Sequence, residues 1–179
     1  MSNKLSAGKN VPEVVNAFIE IPKGSRNKYE YDKEAQVWKL DRVLYSSVAY
    51  PSDYGYIPDT LSDDGDPLDV LVINRFPTFP GCVIEARPIG ALKMIDSGEN
   101  DEKIIAVPEH DPYFKDYKDY EDIPEAERAE IEEFFKTYKN LQKGKTVDMK
   151  GWVNKAGAIT FIKEAVKAYE AKREKHRVE

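Results

Sequence analysis

The hydrophobic pattern changes period along the chain, short and alternating first, helical later. Residues 14–22, VVNAFIEIP, are apolar and β-branched apart from Asn16 and one embedded acid, Glu20, and predict a buried strand. Residues 28–45 predict a hairpin: Tyr29 and Tyr31 alternate in KYEYD, DKEA turns the chain, and VWKLDRVL returns with Trp38 and Leu40 opposite in parity to Lys39 and Asp41. YPSDYGYIPDT is rich in turn formers, and DVLVIN after it reads as a short strand buried on both faces. VIEARPIGALKMID and EKIIAVPE predict two further strands across the polar turn SGEND.

Beyond residue 110 the pattern changes. HDPYFKDYKDYEDIP has no clean period and reads as a loop with one helical turn. Pro124, with Glu125 and Glu127 behind it, marks a helix start; Ile131, Phe134, Phe135, Tyr138 and Leu141 follow at helical spacing, and Gly144 is the expected stop. A last helix, about 154–175, would bury Ile159, Ile162, Val166 and Tyr169 and end on Lys172, Arg173 and Lys175, which suit its dipole. Strands first and helices last, without β-α alternation, predict one α+β domain over 1–179, strand-rich over about 14–110 and helical over about 124–176. Its sheet should be mainly antiparallel and closed or strongly curled.

Composition narrows the picture. With 41% hydrophobic and 34% charged residues the chain suits a soluble globular protein. Cys82 is alone, so no intrachain disulfide can form, and no N-x-[ST] sequon occurs; both favour a reducing, cytoplasmic setting. No apolar run reaches membrane-span length, and MSNKLSAGKNVPEVV lacks the apolar core of a signal peptide. A net charge of -6 speaks against nucleic acid or anionic lipid as a general partner. Neither G-x-G-x-x-G nor G-x-x-x-x-G-K-[ST] is present, which counts against dinucleotide and P-loop chemistry.

The densest chemistry lies in D-G-D-P-L-D, residues 64–69. Asp64 and Asp66 straddle a glycine in a turn, and Pro67 bends the chain before Asp69 enters a strand, so three carboxylates can converge. Two such charges about 5 Å apart repel by roughly 3 kcal/mol at an effective dielectric near 20, a cost that a cation between them would remove. A solvated acidic turn is the plainer alternative. An EF-hand fails on register, because with Gly65 sixth in the loop the twelfth place falls on Leu71. All-oxygen donors suit Mg²⁺ or Mn²⁺; a zinc site lacks ligands, with Cys82 alone and His110 and His176, read as surface residues, far apart. Further acids (Glu20, Glu30, Asp96, Asp101) alternate along the chain with Lys28, Arg42, Lys103, Lys139, Tyr50, Tyr54 and Tyr138. Such a mixture suits a metal-bridged phosphate. The residues alone leave open a hydrolase of some phosphoanhydride, of a nucleotide or organic phosphate, or a non-catalytic divalent-cation binder. Tyr29, Tyr31, Tyr56 and Trp152 read as packing residues, and Glu30 and Lys103 equally as a strand salt bridge and a solvated turn cation.

D-G-D-P-L-D fits the D-x-D-P-x-D signature of the soluble family I inorganic pyrophosphatases, prokaryotic type, which the chain resembles. The resemblance continues in order through IEIPKGSRNKYEYD, LDRVLYSSVAYPSDYGYIPDTLSDDGDPLDVLV, PGCVIEARPIGALKMIDSGENDEKIIAVP and FFKTYKNLQKGK followed by GW, about residues 14–152. It implies a small closed, OB-like β-barrel flanked by two main helices. It further implies hydrolysis of pyrophosphate to two orthophosphates by a metal-activated water without a covalent intermediate, several Mg²⁺ ions (Mn²⁺ or other divalent cations being possible), and a homo-oligomer, a hexamer. Carried onto this sequence, Asp64, Asp69 and Asp101 would hold a first metal and Asp69 also a second. Asp96, Asp101 and Glu20 would serve metals arriving with substrate, and Glu30 would act through a water. Lys28, Arg42, Tyr54, Lys103, Tyr138 and Lys139 would bind or orient phosphate, Tyr50 would support Tyr54, and Asp66 would be the general base.

Overall fold

The computed structural model describes residues 5–178, with side chains through residue 175; His176 therefore lies outside the described side chains. Among the described residues eight strands form: β1 (Val15–Ile21), β2 (Asn27–Asp32), β3 (Val37–Val43), β4 (Asp53–Tyr56), β5 (Asp69–Val72), β6 (Val83–Asp96), β7 (Glu99–Pro108) and β8 (Val147–Asn154). Two α-helices, α1 (Glu125–Thr137) and α2 (Lys155–Val178), follow the same chain order.

Five strands close on themselves. The order β1-β4-β5-β7-β6 returns from β6 to β1, with every pair antiparallel except β5 and β7. Counting ring strands alone, this is 1-2-3-5-4 with the third parallel to the fifth, the connectivity of a small OB-like barrel. β2 and β3 form a separate hairpin, as their pattern predicts. Closure lets alternate residues of one strand feed two cores, because successive side chains point to opposite faces. Leu71 of β5 and Ile105 of β7 join Phe134 and Phe135 of α1 in one cluster. Val70, Val72 and Ile104 join Ala158, Ile162 and Ala165 of α2 in the other. Gly55 marks the tightest approach between strands, since a Cβ there would lie 1.8 Å from the Phe18 carbonyl oxygen.

Four expectations need correction. The turn after β6 is only Ser97–Gly98, both at positive φ as a two-residue hairpin loop requires, so Glu99 to Asp101 belong to β7 and not to a turn. The α1 helix ends at Thr137 with Tyr138 as its cap; Leu141 is off the helix and 67% exposed, so it is no part of the apolar stripe. VDMKGWVN, with two charges and a glycine, carries no strand pattern of its own, yet it forms β8 because the free edge of β6 offers it a ladder from Gly90 to Asp96. In α2, Ile162 is buried as expected, but the deeply buried neighbours are Ala158 and Ala165, while Ile159, Val166 and Tyr169 are only half-buried. The irregular 111–123 stretch contains two short 3₁₀ turns, the second closed by a capping box on Asp119 and Asp122.

Candidate active site

The signature loop is built around Gly65, whose φ of +89° is open to glycine at little cost, and the Asp66 amide donates to Asp64 Oδ1 at 3.0 Å. The chain then enters β5, where Asp69 lies in parallel register with Lys103 of β7 and in antiparallel register with Tyr56 of β4. Asp69 and Lys103 share the parity of Leu71 and Ile105, so their side chains emerge on the face covered by α1.

These positions produce a tight polar group. Lys103 Nζ donates to Asp69 Oδ2 at 2.6 Å and to the Tyr54 hydroxyl at 2.9 Å, and lies 2.9 Å from Asp101 Oδ1. The Tyr54 hydroxyl in turn donates to Asp69 Oδ2 at 2.7 Å. Burial alone would lower the Lys103 pKa, but Asp69, Tyr54 and Asp101 hold it well above the usual lysine value, so it is a fixed cation. The solvated turn cation considered for Lys103 is therefore wrong: its side chain is 3% exposed. Burial raises Asp101 even though Lys103 opposes the shift. Tyr54 is likewise pushed far up by burial and by Asp69.

Two further ion pairs border this group. Lys139, just past the end of α1, pairs with Asp96 at the end of β6. Burial would raise Asp96, but the Lys139 hydrogen bond and charge hold it below the ordinary aspartate value. On the hairpin, Lys28 Nζ lies 2.8 Å from Glu30 Oε1. Glu20 accepts from the Tyr31 amide at 3.1 Å, and burial, helped by the charges of Glu30 and Asp69, pushes its pKa up to about 7.

One cavity of about 510 Å³ gathers all the residues that the sequence singled out: Glu20, Lys28, Glu30, Arg42, Tyr54, Asp64, Asp66, Asp69, Asp96, Asp101, Lys103, Tyr138 and Lys139 line it, with Tyr50 beside them. Lys33, Glu34, Tyr31, Tyr56 and Pro67 complete the wall and were not singled out as site residues. Tyr31 and Tyr56 also pack against Phe18, so both the packing and the lining descriptions hold. Trp152 stacks on Tyr120, and His110 stands on the surface 2.9 Å from Glu85. The lining carries a formal excess of three negative charges, so an anion of high charge fits only together with cations, and the oxygen donors are those a hard divalent ion takes. Among the described residues no three acids stand close enough to hold one ion as they are. The immediate convergence expected of Asp64, Asp66 and Asp69 is absent, and Lys103 stands between Asp69 and Asp101 instead. Arg42 Nε is buried and has no hydrogen-bond partner among the described residues, an unfilled donor on a residue of the cavity wall.

An OB-like barrel with opposed carboxylates and fixed cations in one cavity defines a class: a scaffold for handling a compact phosphate anion together with metal. Comparison with known proteins narrows it. The inorganic pyrophosphatase family model matches residues 17–170. The inorganic pyrophosphatase of Halalkalibacterium halodurans is 55% identical over 158 residues, 88% of this chain and 96% of the relative. That of Synechocystis sp. is 54% identical over 156 residues, 87% of this chain and 92% of the relative. The crystal structure of inorganic pyrophosphatase from Thermus thermophilus superposes with a TM-score of 0.90 at 44% identity, covering 93% of this chain and 97% of that one. The chain belongs to the inorganic pyrophosphatase family.

Proposed function

We propose that this chain hydrolyses inorganic pyrophosphate to two orthophosphates in the cavity between the β2–β3 hairpin, the D-G-D-P-L-D loop and the end of α1. The observation that carries the reading is the gathering of acids and cations, scattered over residues 20–139 of the sequence, onto one cavity wall. Family membership supports the same reaction.

Pyrophosphate resists water because its own charge repels an incoming nucleophile and its leaving phosphate is poor. Bound divalent cations, Mg²⁺ in our reading and Mn²⁺ as a substitute, would acidify the attacking water and withdraw charge from both phosphates. Asp64, Asp69, Asp96, Asp101 and Glu20 would hold them, with Glu30 acting through water. The rest of the work falls to this chain's own side chains. Asp66, exposed on its loop, takes the proton from the attacking water at a carboxylate oxygen. Lys28, Arg42 and Lys139 bind phosphate oxygens and stabilise the charge that spreads in the transition state. Tyr54 and Tyr138 orient phosphate through their hydroxyls, while Lys103 fixes Asp69 and Asp101 and adds its own charge. Displacement by water is direct in this scheme, without a covalent phosphoryl intermediate.

Lys28, Lys103 and Lys139 are each paired with a carboxylate. Anion and cation entering together would allow the Lys28 and Lys139 pairs to re-sort, ammonium groups to phosphate and carboxylates to metal, with little net charge buried, while Lys103 keeps Asp69 and Asp101 in place. We further read the chain as a single cytoplasmic domain that assembles into a homo-oligomer, a hexamer, and binds neither nucleic acid nor membrane. No helix among the described residues is long and apolar enough to cross a membrane.

The test is orthophosphate release from pyrophosphate by metal-replete protein, with ATP alongside. Release from pyrophosphate well above that from ATP is expected, and folded, Mg²⁺-replete protein that releases none would refute the reading.

A further inference from the structure

The β2–β3 hairpin contains a bulge that brings a carboxylate to the cations of the site. Lys28 pairs with Arg42 and Tyr29 with Leu40, so Asp41 is the extra residue, without a register partner between them. A regular ladder would send Asp41 and Arg42 to opposite faces; the bulge re-aims them. Asp41 Oδ2 lies 2.9 Å from Arg42 Nη1 and 3.5 Å from Lys28 Nζ. Arg42 and Lys28 line the cavity, whereas Asp41 does not, and its side chain is 31% exposed.

We propose that Asp41 is a positioning and affinity-setting residue: its one carboxylate oxygen holds Arg42 and Lys28 together and offsets part of their charge, so that the site does not retain orthophosphate too tightly. The inference rests on the phosphate-hydrolysing reading of the cavity. Its physical basis is that a carboxylate outside the cavity cannot touch the substrate, yet shares its negative field with the two cations that do. Glu30 cannot serve in its place for both, because among the described residues its ion pair is with Lys28 and not with Arg42. An enzyme whose products are themselves doubly charged anions gains from such an offset, since every increment of affinity for substrate also slows the departure of product.

Orthophosphate binding to Mg²⁺-replete protein, followed by calorimetry, tests this without relying on turnover. Asp41→Asn keeps an acceptor for Arg42 but removes the charge, and should bind orthophosphate about three- to tenfold more tightly, with KM for pyrophosphate falling in parallel. Asp41→Ser should do the same and Asp41→Glu should restore the original affinity. Adding Arg42→Ala to Asp41→Asn should abolish the gain. Equal or weaker orthophosphate binding in both charge-removing variants would overturn the proposal, as would an unchanged gain without Arg42. If the unmodified protein fails to release orthophosphate from pyrophosphate while Asp41→Asn still binds it more tightly, the catalytic reading falls and the role of Asp41 stands.

Discussion

Asp69 and Lys103 are register partners in the one parallel strand pair of the barrel, and their side chains meet at 2.6 Å. A lysine 3% exposed and the last aspartate of the signature, the first residue of β5, are thereby fixed by backbone pairing rather than by a flexible loop. The ladder also aligns Tyr54, through β4, with the same carboxylate oxygen.

Replacing Lys103 by Met keeps the length of the side chain but leaves Asp69 and Asp101 without their shared cation. We expect a loss of about 3 kcal/mol in unfolding free energy, at the low end for a broken buried pair because Asp69 is partly exposed. Pyrophosphate turnover should fall by at least tenfold as well. Urea denaturation beside steady-state kinetics checks both; a variant as stable and as active as the parent would show that the pair is incidental.

Asp66→Asn removes a proton acceptor from an exposed loop position where the side chain supports no core contact. We expect kcat to drop by about 10²–10⁴ with KM within a few-fold and the melting temperature unchanged. Retention of more than half the turnover would take the general-base role away from Asp66.

Chelation should abolish orthophosphate release and Mg²⁺ should restore it. Binding to the folded state alone also raises the melting temperature with free ion concentration. A thermal shift series over Mg²⁺, run without substrate, reads this directly, and a flat series would argue against a site preformed in donor type.

Glu20 in the metal-free protein has a pKa raised from 4.5 to about 7. The folded state then holds a proton that the unfolded chain has released, so stability favoured by the neutral side chain is complete below about pH 4.5 and is lost as pH rises through about 7. The slope amounts to at most about 3 kcal/mol across that window. Glu20→Gln should flatten it in chelator-treated protein, and an identical pH–stability profile in parent and variant would contradict the shifted titration.

The candidate chemistry was legible because it resides in residue types within short segments: D-G-D-P-L-D names its own loop, an apolar β-branched run exposes β1, alternation exposes the hairpin, and a polar turn separates the two long strands. Strand β8 was not legible, since its conformation comes from the edge of β6 and not from its own residues. Nor was the exit of Lys139 from α1, because the apolar spacing runs on to Leu141 while the helix stops at Thr137. Lys103 shows the same division within one residue: a lysine two places from an aspartate after a turn suits a solvated tip, and only the short Ser97–Gly98 loop and the parallel register make it buried.

Residue type and local period carry the α+β class, the metal-and-phosphate character of the donors and the family resemblance. The tertiary structure decided which charges meet. Ladder register, ring closure and the packing of α1 on the barrel join residues up to 119 positions apart, such as Glu20 and Lys139, across one cavity. No local pattern encodes such a distance, because it is fixed only when the last strand of the ring pairs with the first.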